Sequence, residues 1–340
     1  MKIVVENHRM GLGGDVALGD VLRLYLGRKS DILSPAWLRA SKTRRDLFEA
    51  AWGAGKLVDD ITESDIDDFT RLRRRGVLGA NPVKDGTIEA DLRWLNTVFR
   101  WARGHKINRR PLIAGNPLDG IKRPKEQKEN IRRPASTHER YLATLEKADE
   151  VDPRQRLRCM LVLARYTGHR LSAIRQLRVS DILRTRKHVE AAIAALGEDL
   201  GWVDQYPNGG IRWRGQFDKV GVTTITPIPQ AARDQLIAYV DGSARVGEAW
   251  LFPSPVDDTK PVRKELASDW LARAEKLAEL PKISGGLWHP YRRLWANERK
   301  HLPTQDVAFG GGWHDTSALT TIYQRADAEG VRRVVDLEAS

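Results

Sequence analysis

The stretch GGGWHDTSALTTIYQRAD, residues 310–327, holds the one tyrosine in the last forty residues of the chain, Tyr323. Taken alone, the segment predicts a helix in which Tyr323 is one more aromatic residue of the core. A tyrosine hydroxyl can instead act as a nucleophile, when other side chains activate it and stabilise the charge that develops. The choice between these interpretations depends on whether suitable partners occur elsewhere in the sequence.

The overall composition predicts a globular protein with two domains. The chain has 340 residues, of which 41% are hydrophobic and 30% charged, enough to bury two cores. Its one cysteine, Cys159, lies in the apolar run CMLVLA, which indicates a buried thiol and fits a reducing cytoplasm. No apolar run approaches the roughly 20 residues of a membrane span, and the first residues lack a signal-peptide core. We therefore expect a soluble, cytoplasmic protein with no membrane partner.

Positive charge is concentrated in the first part of the chain. The formal net charge is +12, and residues 1–136 hold 27 Lys and Arg against 18 Asp and Glu, a net of +9. Between Arg100 and Arg133 there are 11 basic and 3 acidic residues. A basic stripe suits a polyanion, because each neutralised phosphate releases condensed counterions. Charge alone is equally compatible with a solvated basic linker.

The first part of the chain reads as a bundle of about four helices, with no strand before residue 130. The segment TIEADLRWLNTVFRWARGH, residues 87–105, is typical of an amphipathic helix. One stripe of this helix is apolar and consists of Ile88, Leu92, Leu95 and Phe99. We expect a short segment over residues 1–14, a helical domain over 15–115 and an extended linker, rich in Pro, Lys and Arg, over 116–136.

Residues 137–340 predict a second domain that is mainly helical with a small β-hairpin. The segments GGIRWRGQF (209–217) and VTTITPIP (222–229) have the Thr and Ile content of strands and are joined through DKVG. Helices are predicted before and after the hairpin, including a basic helix, RLSAIRQLRVSDI, over residues 170–182. The fold class is therefore mainly α with a small β-sheet.

Three basic residues of this second domain are candidate partners for Tyr323. Arg170 directly follows a glycine-ended helix and starts the next one, where a helix N-terminus favours anions. His289 and Arg292 are three residues apart, and if Pro290 begins a helix they share its first turn and can bind one phosphate. Each motif alone fits an ordinary surface. The sequence has no metal-ligand motif and no nucleotide-binding glycine loop, so we expect no metal and no cofactor.

The order of these pieces resembles the tyrosine recombinase (phage integrase) family. Arg170, the His-x-x-Arg of residues 289–292, and a tyrosine nine or ten residues after an imidazole or aromatic donor follow one another as in that family. The resemblance covers about residues 137–330, which implies an α+β catalytic domain. The helical N-terminal part is similar to the family's core-binding domain, which closes around DNA.

The resemblance implies a role for each residue of the catalytic set. Two arginines and a histidine would hold the scissile phosphate, a hairpin lysine would protonate the leaving oxygen, and the tyrosine would be the nucleophile. The donor before the tyrosine is either His314 or Trp313, with His314 slightly favoured by its spacing of nine residues. The remaining members, in the order of these roles, are Arg170, Arg292, His289, Lys219 and Tyr323.

The resemblance also implies an activity and partners. The protein would cut and rejoin double-stranded DNA through a 3′-phosphotyrosyl intermediate and integrate or excise a phage or mobile element. It would assemble as a synaptic tetramer and associate with the nucleoid when bound to DNA, and a directionality factor would be a further partner. The expected DNA contacts are Arg93, Arg100, Arg103, Arg109, Arg110, Lys122, Arg123, Lys125, Arg212 and Arg214.

Several alternatives stay open from the sequence. The segment VRRVVDLEAS, residues 331–340, has a small apolar face that would pack on its own chain or dock on a neighbouring copy. A type IB topoisomerase or a telomere resolvase would use the same site for a different task. A DNA-binding protein descended from an integrase would bind DNA without cutting it.

Overall fold

The structure, a computed structural model, describes residues 16–124, 133–198, 200–217, 221–324 and Arg332. The chain divides into two units, Met1–Asn130 and Ile131–Ser340. Across the described residues, none of the helices combines the length and the apolar character that a membrane crossing requires.

Over residues 16–124, the first unit contains four α-helices and a small hairpin. The helices are α1 Leu18–Lys29, α2 Pro35–Trp52, α3 Glu63–Arg75 and α4 Asp85–Gly104, followed by strands β1 Lys106–Ile107 and β2 Arg110–Pro111. The sequence sets their ends. Thr62 and Asp65 form a reciprocal capping box at the start of α3, and Gly76 ends that helix in the left-handed conformation.

The core of the first unit is built on α4. Its predicted apolar stripe is fully buried and packs against α1 and α2, each large apolar side chain contributing roughly 1.5–3 kcal/mol. A buried carboxylate, Asp91, ties this helix to its neighbours through Arg73 at 3.0 Å and Arg44 at 3.0 Å. The four predicted helices are therefore present, and the stripe faces inward as predicted.

The prediction of no strand before residue 130 is wrong. Strands β1 and β2 pair antiparallel, with Ile107 opposite Arg110. The turn residues Asn108 and Arg109 have φ of 50° and 69°, the left-handed conformation that two-residue hairpins require. Strands of two residues are too short to show the alternation by which a strand is recognised in sequence.

The second unit is mostly helical around a three-stranded sheet. The strands are β3 Ile182–Leu183, β4 Gly210–Trp213 and β5 Thr224–Pro227, antiparallel in the order β3-β4-β5. The helices are α5 His138–Val151, α6 Arg156–Thr167, α7 Leu171–Ile174, α8 Arg186–Leu196, α9 Gln230–Asp241, α10 Lys264–Leu277, α11 His289–Glu298, α12 Thr304–Gly310 and α13 Thr316–Ala318. The mainly helical class with a small sheet is confirmed, as is the β4–β5 hairpin.

Helix α6 lies at the centre of this unit and packs against α5, α9 and α11. Its residues Leu157, Met160 and Leu161 are fully buried in a continuous apolar core. The helix ends at Gly168, which has φ of 65° and accepts the next turn of chain without steric cost. That ending places the following residue, His169, and then Arg170, at the edge of the core.

The predicted basic helix over residues 170–182 is wrong in its length. Only Leu171–Ile174 is α-helical, and the segment ends in strand Ile182–Leu183 beside β4. The backbone N–H groups that follow bond outside the helix pattern: those of Val179 and Ser180 donate to the carbonyls of Ala249 at 3.0 Å and Gly247 at 2.8 Å, and that of Arg178 donates to Oδ2 of Asp181 at 2.8 Å. A short acidic side chain that bonds the local backbone competes with helix continuation.

Candidate active site

Helix α11 supplies two of the predicted site residues from its first turn. The helix begins at His289 with Pro290 next, as the sequence predicts. His289 is exposed, whereas Arg292 is 2% exposed. The two side chains therefore start from one helix turn but differ in depth.

Three backbone carbonyls hold the guanidinium of Arg292. Its Nη1 donates to the carbonyl oxygens of Gly168 and of Gly311, the latter at 2.6 Å, and its Nη2 donates to that of Gly312 at 3.4 Å. The turn that ends α6 and the glycine turn that follows α12 are joined through this one side chain. These three acceptors fix the position of the Arg292 guanidinium between the two turns.

Arg170 converges on the same glycine turn. It is the residue before α7, and its Nη1 donates to the carbonyl oxygen of Gly312 at 3.1 Å. Arg170 and Arg292 therefore share an acceptor although they lie far apart in sequence. Two guanidinium groups that meet in this way form a site for an anion such as a phosphate.

Tyr323 lies at the end of a π-helical turn, Leu319–Tyr323, that follows α13. Tyr323 is 8% exposed, and its hydroxyl oxygen lies 3.4 Å from Nδ1 of His289. The Cζ atom of Arg292 is 5.3 Å from the centroid of the Tyr323 ring. Single π-helical turns are uncommon and often occur at functional sites, because the extra residue re-aims the side chains around it.

The electrostatics of the site keep His289 neutral. Desolvation lowers the pKa of His289 below its ordinary 6.5, and the charges of Arg293, Arg292 and Arg170 lower it further. A cationic imidazole is disfavoured among these guanidinium groups. A neutral imidazole beside the tyrosine hydroxyl can accept a proton.

The structure places Trp313 at the site instead of His314, which the sequence had slightly favoured. The Trp313 ring is 5% exposed, lies 3.4 Å from Cζ of Arg292 and meets the Tyr323 ring edge-on at 5.0 Å. Its Nε1 is buried and has no hydrogen-bond partner within the described part of the chain. The side chain of His314 is 73% exposed, and its Nδ1 lies 3.9 Å from Oδ2 of Asp315.

A glycine explains why the tryptophan turns inward. A side chain at Gly311 would overlap the ring of Trp313, so the ring occupies space that only glycine leaves open. The backbone N–H of Trp313 donates to the carbonyl of Ala308 at 2.9 Å, which fixes the turn. Counting residues back from the tyrosine cannot detect this arrangement, because it depends on the path of the glycine turn.

Lys219 lies outside the described residues, so its predicted role stays a prediction. The structure describes the β4 arm of the hairpin as far as Phe217 and the β5 arm from Gly221 onward. The arms are joined where the backbone N–H of Gly215 donates to Oγ1 of Thr223 at 3.0 Å.

Arg212 and Arg214, expected as DNA contacts, form ion pairs inside the protein. Their Nε atoms lie 2.9 Å and 2.8 Å from Oδ1 of Asp181, which is fully buried. Arg214 also binds Glu248 at 2.7 Å, and this contact lowers the pKa of Glu248 to about 2. Both arginines therefore anchor the sheet to the segment before it, a structural role that local sequence does not reveal.

The predicted DNA contacts of the first unit are mostly at the surface. Arg93 pairs with Glu89 on the same helix at 2.6 Å, and Arg103 pairs with Asp119 at 3.3 Å. Arg123 is half-buried and Lys125 lies outside the described residues. The exposed members are Arg93, Arg100, Arg103, Arg109, Arg110 and Lys122.

One residue at the site was missed by the sequence reasoning. Trp295 lies three residues after Arg292 on α11, is 5% exposed and stacks on Trp313 with ring centroids 5.9 Å apart. The spacing of three residues was the available signal, because it places the two side chains on neighbouring positions of a helix face. Within the described ranges, no group of three or more His, Cys, Asp and Glu side chains could hold a metal ion.

The sequence has no match among protein-family models or curated proteins. Solved structures match it by fold. A lambda integrase dimer bound to a COC′ core site has a TM-score of 0.67 at 18% identity, over 95% of this chain and 81% of the integrase chain. A lambda integrase tetramer bound to a Holliday junction has a TM-score of 0.65 at 18% identity, over 92% and 81%.

A structure of the Tn1549 transposon integrase in complex with transposon right end DNA is similar to the same degree. Its TM-score is 0.67 at 12% identity, over 94% of this chain and 99% of the integrase chain. The mostly helical fold with a small sheet therefore matches the tyrosine recombinase fold of lambda integrase.

Proposed function

We propose that this chain is a site-specific DNA recombinase that cuts and rejoins DNA through a covalent tyrosine intermediate. One observation carries the proposal. The hydroxyl of Tyr323 lies 3.4 Å from Nδ1 of His289. Arg292, in the same helix turn as His289, and Arg170 both donate to the carbonyl of Gly312. A nucleophile, a proton acceptor and two cations are thus gathered in one place.

The cutting step follows from this geometry. The oxygen of Tyr323 attacks a DNA phosphorus atom, and its proton passes to Nδ1 of the neutral His289. The bond from phosphorus to the 5′ oxygen breaks, which leaves a 3′-phosphotyrosyl link and a free 5′-hydroxyl. Attack by the 5′-hydroxyl of another strand reverses the step, so the energy of the bond is conserved.

The charge of the pentavalent phosphate is stabilised by donors that are already in position. Arg170 and Arg292 neutralise the non-bridging oxygens, and the Nε1–H of Trp313 donates a further hydrogen bond. Preorganised donors of this kind each contribute about 10²–10³ in rate. Lys219, on the hairpin, is the proposed acid that protonates the leaving 5′ oxygen.

The DNA itself is held by the surface cations of the first unit, mainly on and after α4. Phosphate contacts of this kind position the duplex and make affinity fall as salt rises. Recombination between two sites uses four copies of the chain, as expected for a fold shared with a lambda integrase that is seen as a tetramer on a Holliday junction. The element that is moved is a phage or another mobile element.

The test is a duplex with a nick close to the cutting site, so that the short strand after the cut diffuses away and the intermediate is trapped. Substrates are taken from the DNA that flanks the gene. Wild type should form a covalent protein–DNA adduct, and Tyr323→Phe should bind the same DNA and form none. Binding by wild type without any adduct would favour a non-catalytic DNA-binding protein. Relaxation of supercoiled plasmid without exchange of strands would favour a topoisomerase.

A further inference from the structure

We infer that Trp295 is a positioning residue for Arg292, and that it acts by fixing the separation of the two glycine turns that hold the guanidinium. This inference rests on the proposed function, because it assigns Arg292 to the scissile phosphate. Trp295 itself lies one turn further along α11 and is 5% exposed. Trp295 does not contact the phosphate in the proposed mechanism.

The ring of Trp295 lies directly against both turns. A side chain at Gly168 would place its Cβ 2.5 Å from Cδ2 of Trp295, and one at Gly311 would place its Cβ 2.7 Å from Cζ3 of the same ring. The carbonyl oxygens of these two glycines are acceptors for Nη1 of Arg292. One rigid ring therefore contacts the backbone on both sides of the arginine.

The orientation of the ring is fixed by its surroundings. Its Nε1 donates to the carbonyl oxygen of Tyr166 at 2.9 Å, in the last turn of α6. One neighbour, Trp313, stacks on it with the ring planes 21° apart, and another, Arg299, has its Cζ 4.6 Å from the ring centroid. Trp313 in turn lies against Arg292. The ring cannot tilt without breaking a hydrogen bond to α6 or moving the Trp313 ring.

Trp295 affects the chemistry through the distance between the Arg292 guanidinium and the scissile phosphate. If the Trp295 ring is removed, the turns at Gly168 and Gly311 can move relative to each other. The three carbonyls then no longer fix one position of the Arg292 guanidinium. A misplacement of about 1 Å in a catalytic group costs on the order of 10²-fold in rate. Binding of DNA should be little affected, because the surface cations are elsewhere.

The experiment compares two substrates, the natural nicked duplex and the same duplex with a methylphosphonate at the cutting position. The methyl group replaces one charged oxygen, so a cation that neutralises this oxygen is no longer needed. The two stereoisomers of the methylphosphonate are tested separately. The one that bypasses Arg292 is the stereoisomer on which Arg292→Ala forms adduct as fast as wild type. Rates of adduct formation and DNA affinity are measured for wild type, Trp295→Leu, Trp295→Phe and Arg292→Ala. Trp270→Leu is the matched control, because Trp270 is a buried tryptophan of α10 in the main core.

On natural DNA, Trp295→Leu should form adduct about 10²-fold more slowly than wild type, with DNA affinity within about threefold. Trp295→Phe keeps an aromatic ring between the turns and should lose less than about tenfold. On the stereoisomer that bypasses Arg292, Trp295→Leu should come within a few-fold of wild type. In the Trp295→Leu, Arg292→Ala double variant, the rate should equal that of Arg292→Ala alone, since the two residues act as one unit.

Two results would overturn the inference. One is an equal loss on both substrates, which a general loss of folded protein would produce. The other is a loss no greater than that of Trp270→Leu on natural DNA. Failure of wild type to form adduct on any substrate would instead remove the proposed function, and the inference with it.

Discussion

The hydroxyl oxygen of Tyr323 lies 3.4 Å from Nδ1 of His289, although the two residues are 34 positions apart in sequence. A π-helical turn brings the tyrosine to this place, and the start of α11 brings the histidine. In the proposed function, this contact gives the tyrosine a proton acceptor.

The rate of cutting should decline in acid, with the midpoint of the decline below pH 6.5. His289 accepts a proton only when neutral, and its pKa is lowered from 6.5, so protonation requires a more acidic solution. Adduct formation measured from about pH 5 to 8 should therefore be flat in the upper part and decline in acid. In His289→Gln the rate should be lower, and the acidic decline should disappear. A decline with its midpoint above pH 6.5 would assign the titration to another group.

Replacing either site arginine should slow cutting without abolishing DNA binding. Arg292→Lys and Arg170→Ala each remove guanidinium donors from the phosphate, and a loss of about 10²–10³ in adduct formation is expected. Arg186→Ala is the control, because this exposed arginine pairs with Glu190 and Asp204 on the surface. If Arg170→Ala cuts as fast as the control, Arg170 does not contact the scissile phosphate.

Trp313 and His314 should differ sharply in their effect on cutting. Trp313→Phe keeps a ring against Arg292 but removes the buried Nε1–H, so adduct formation should fall by about 10²–10³-fold. His314→Ala removes an exposed side chain and should change the rate by less than about threefold. Nicked duplex and single-turnover gels measure both. A larger loss of adduct formation in His314→Ala than in Trp313→Phe would identify His314 as the donor.

Acid should weaken the anchor that Arg214 makes with Glu248. The carboxyl has an ordinary pKa of 4.5 and a folded pKa of about 2, so its contribution to stability is complete above pH 4.5 and is lost as the pH falls towards 2. Glu248→Gln should reduce the free energy of unfolding at pH 7 and should flatten its pH dependence between these two values. Urea unfolding at pH 7 and pH 3 tests this, with Glu150→Gln as control, because the Glu150 carboxylate pairs with Lys147 of the same helix. If the free energy of unfolding depends on pH equally in wild type and Glu248→Gln, the Arg214–Glu248 ion pair does not contribute to stability.

Local features of the fold could be predicted from the sequence. The capping residues Thr62 and Asp65 and the terminal glycines Gly76 and Gly168 act within a few residues of themselves. The start of α11 at His289 follows from Pro290 in the same way. These elements depend on short-range steric and hydrogen-bond rules, which a sequence displays directly.

Features that depend on distant contacts could not be predicted. Asp181 accepts the backbone N–H of Arg178 and also binds Arg212 and Arg214, which lie 31 and 33 residues away. The choice of Trp313 depends on a glycine turn packed under Trp295. Such contacts arise only when the chain has folded, so spacing in sequence gives no sign of them.

The most direct test of the account is to identify the atom to which DNA is attached. The adduct trapped on nicked DNA is digested with a protease and a nuclease, and the modified peptide is sequenced by mass spectrometry. The account predicts a nucleotide joined through its 3′-phosphate to the hydroxyl of Tyr323, and none in Tyr323→Phe. A nucleotide on any other residue, or one joined through a 5′-phosphate, would contradict it.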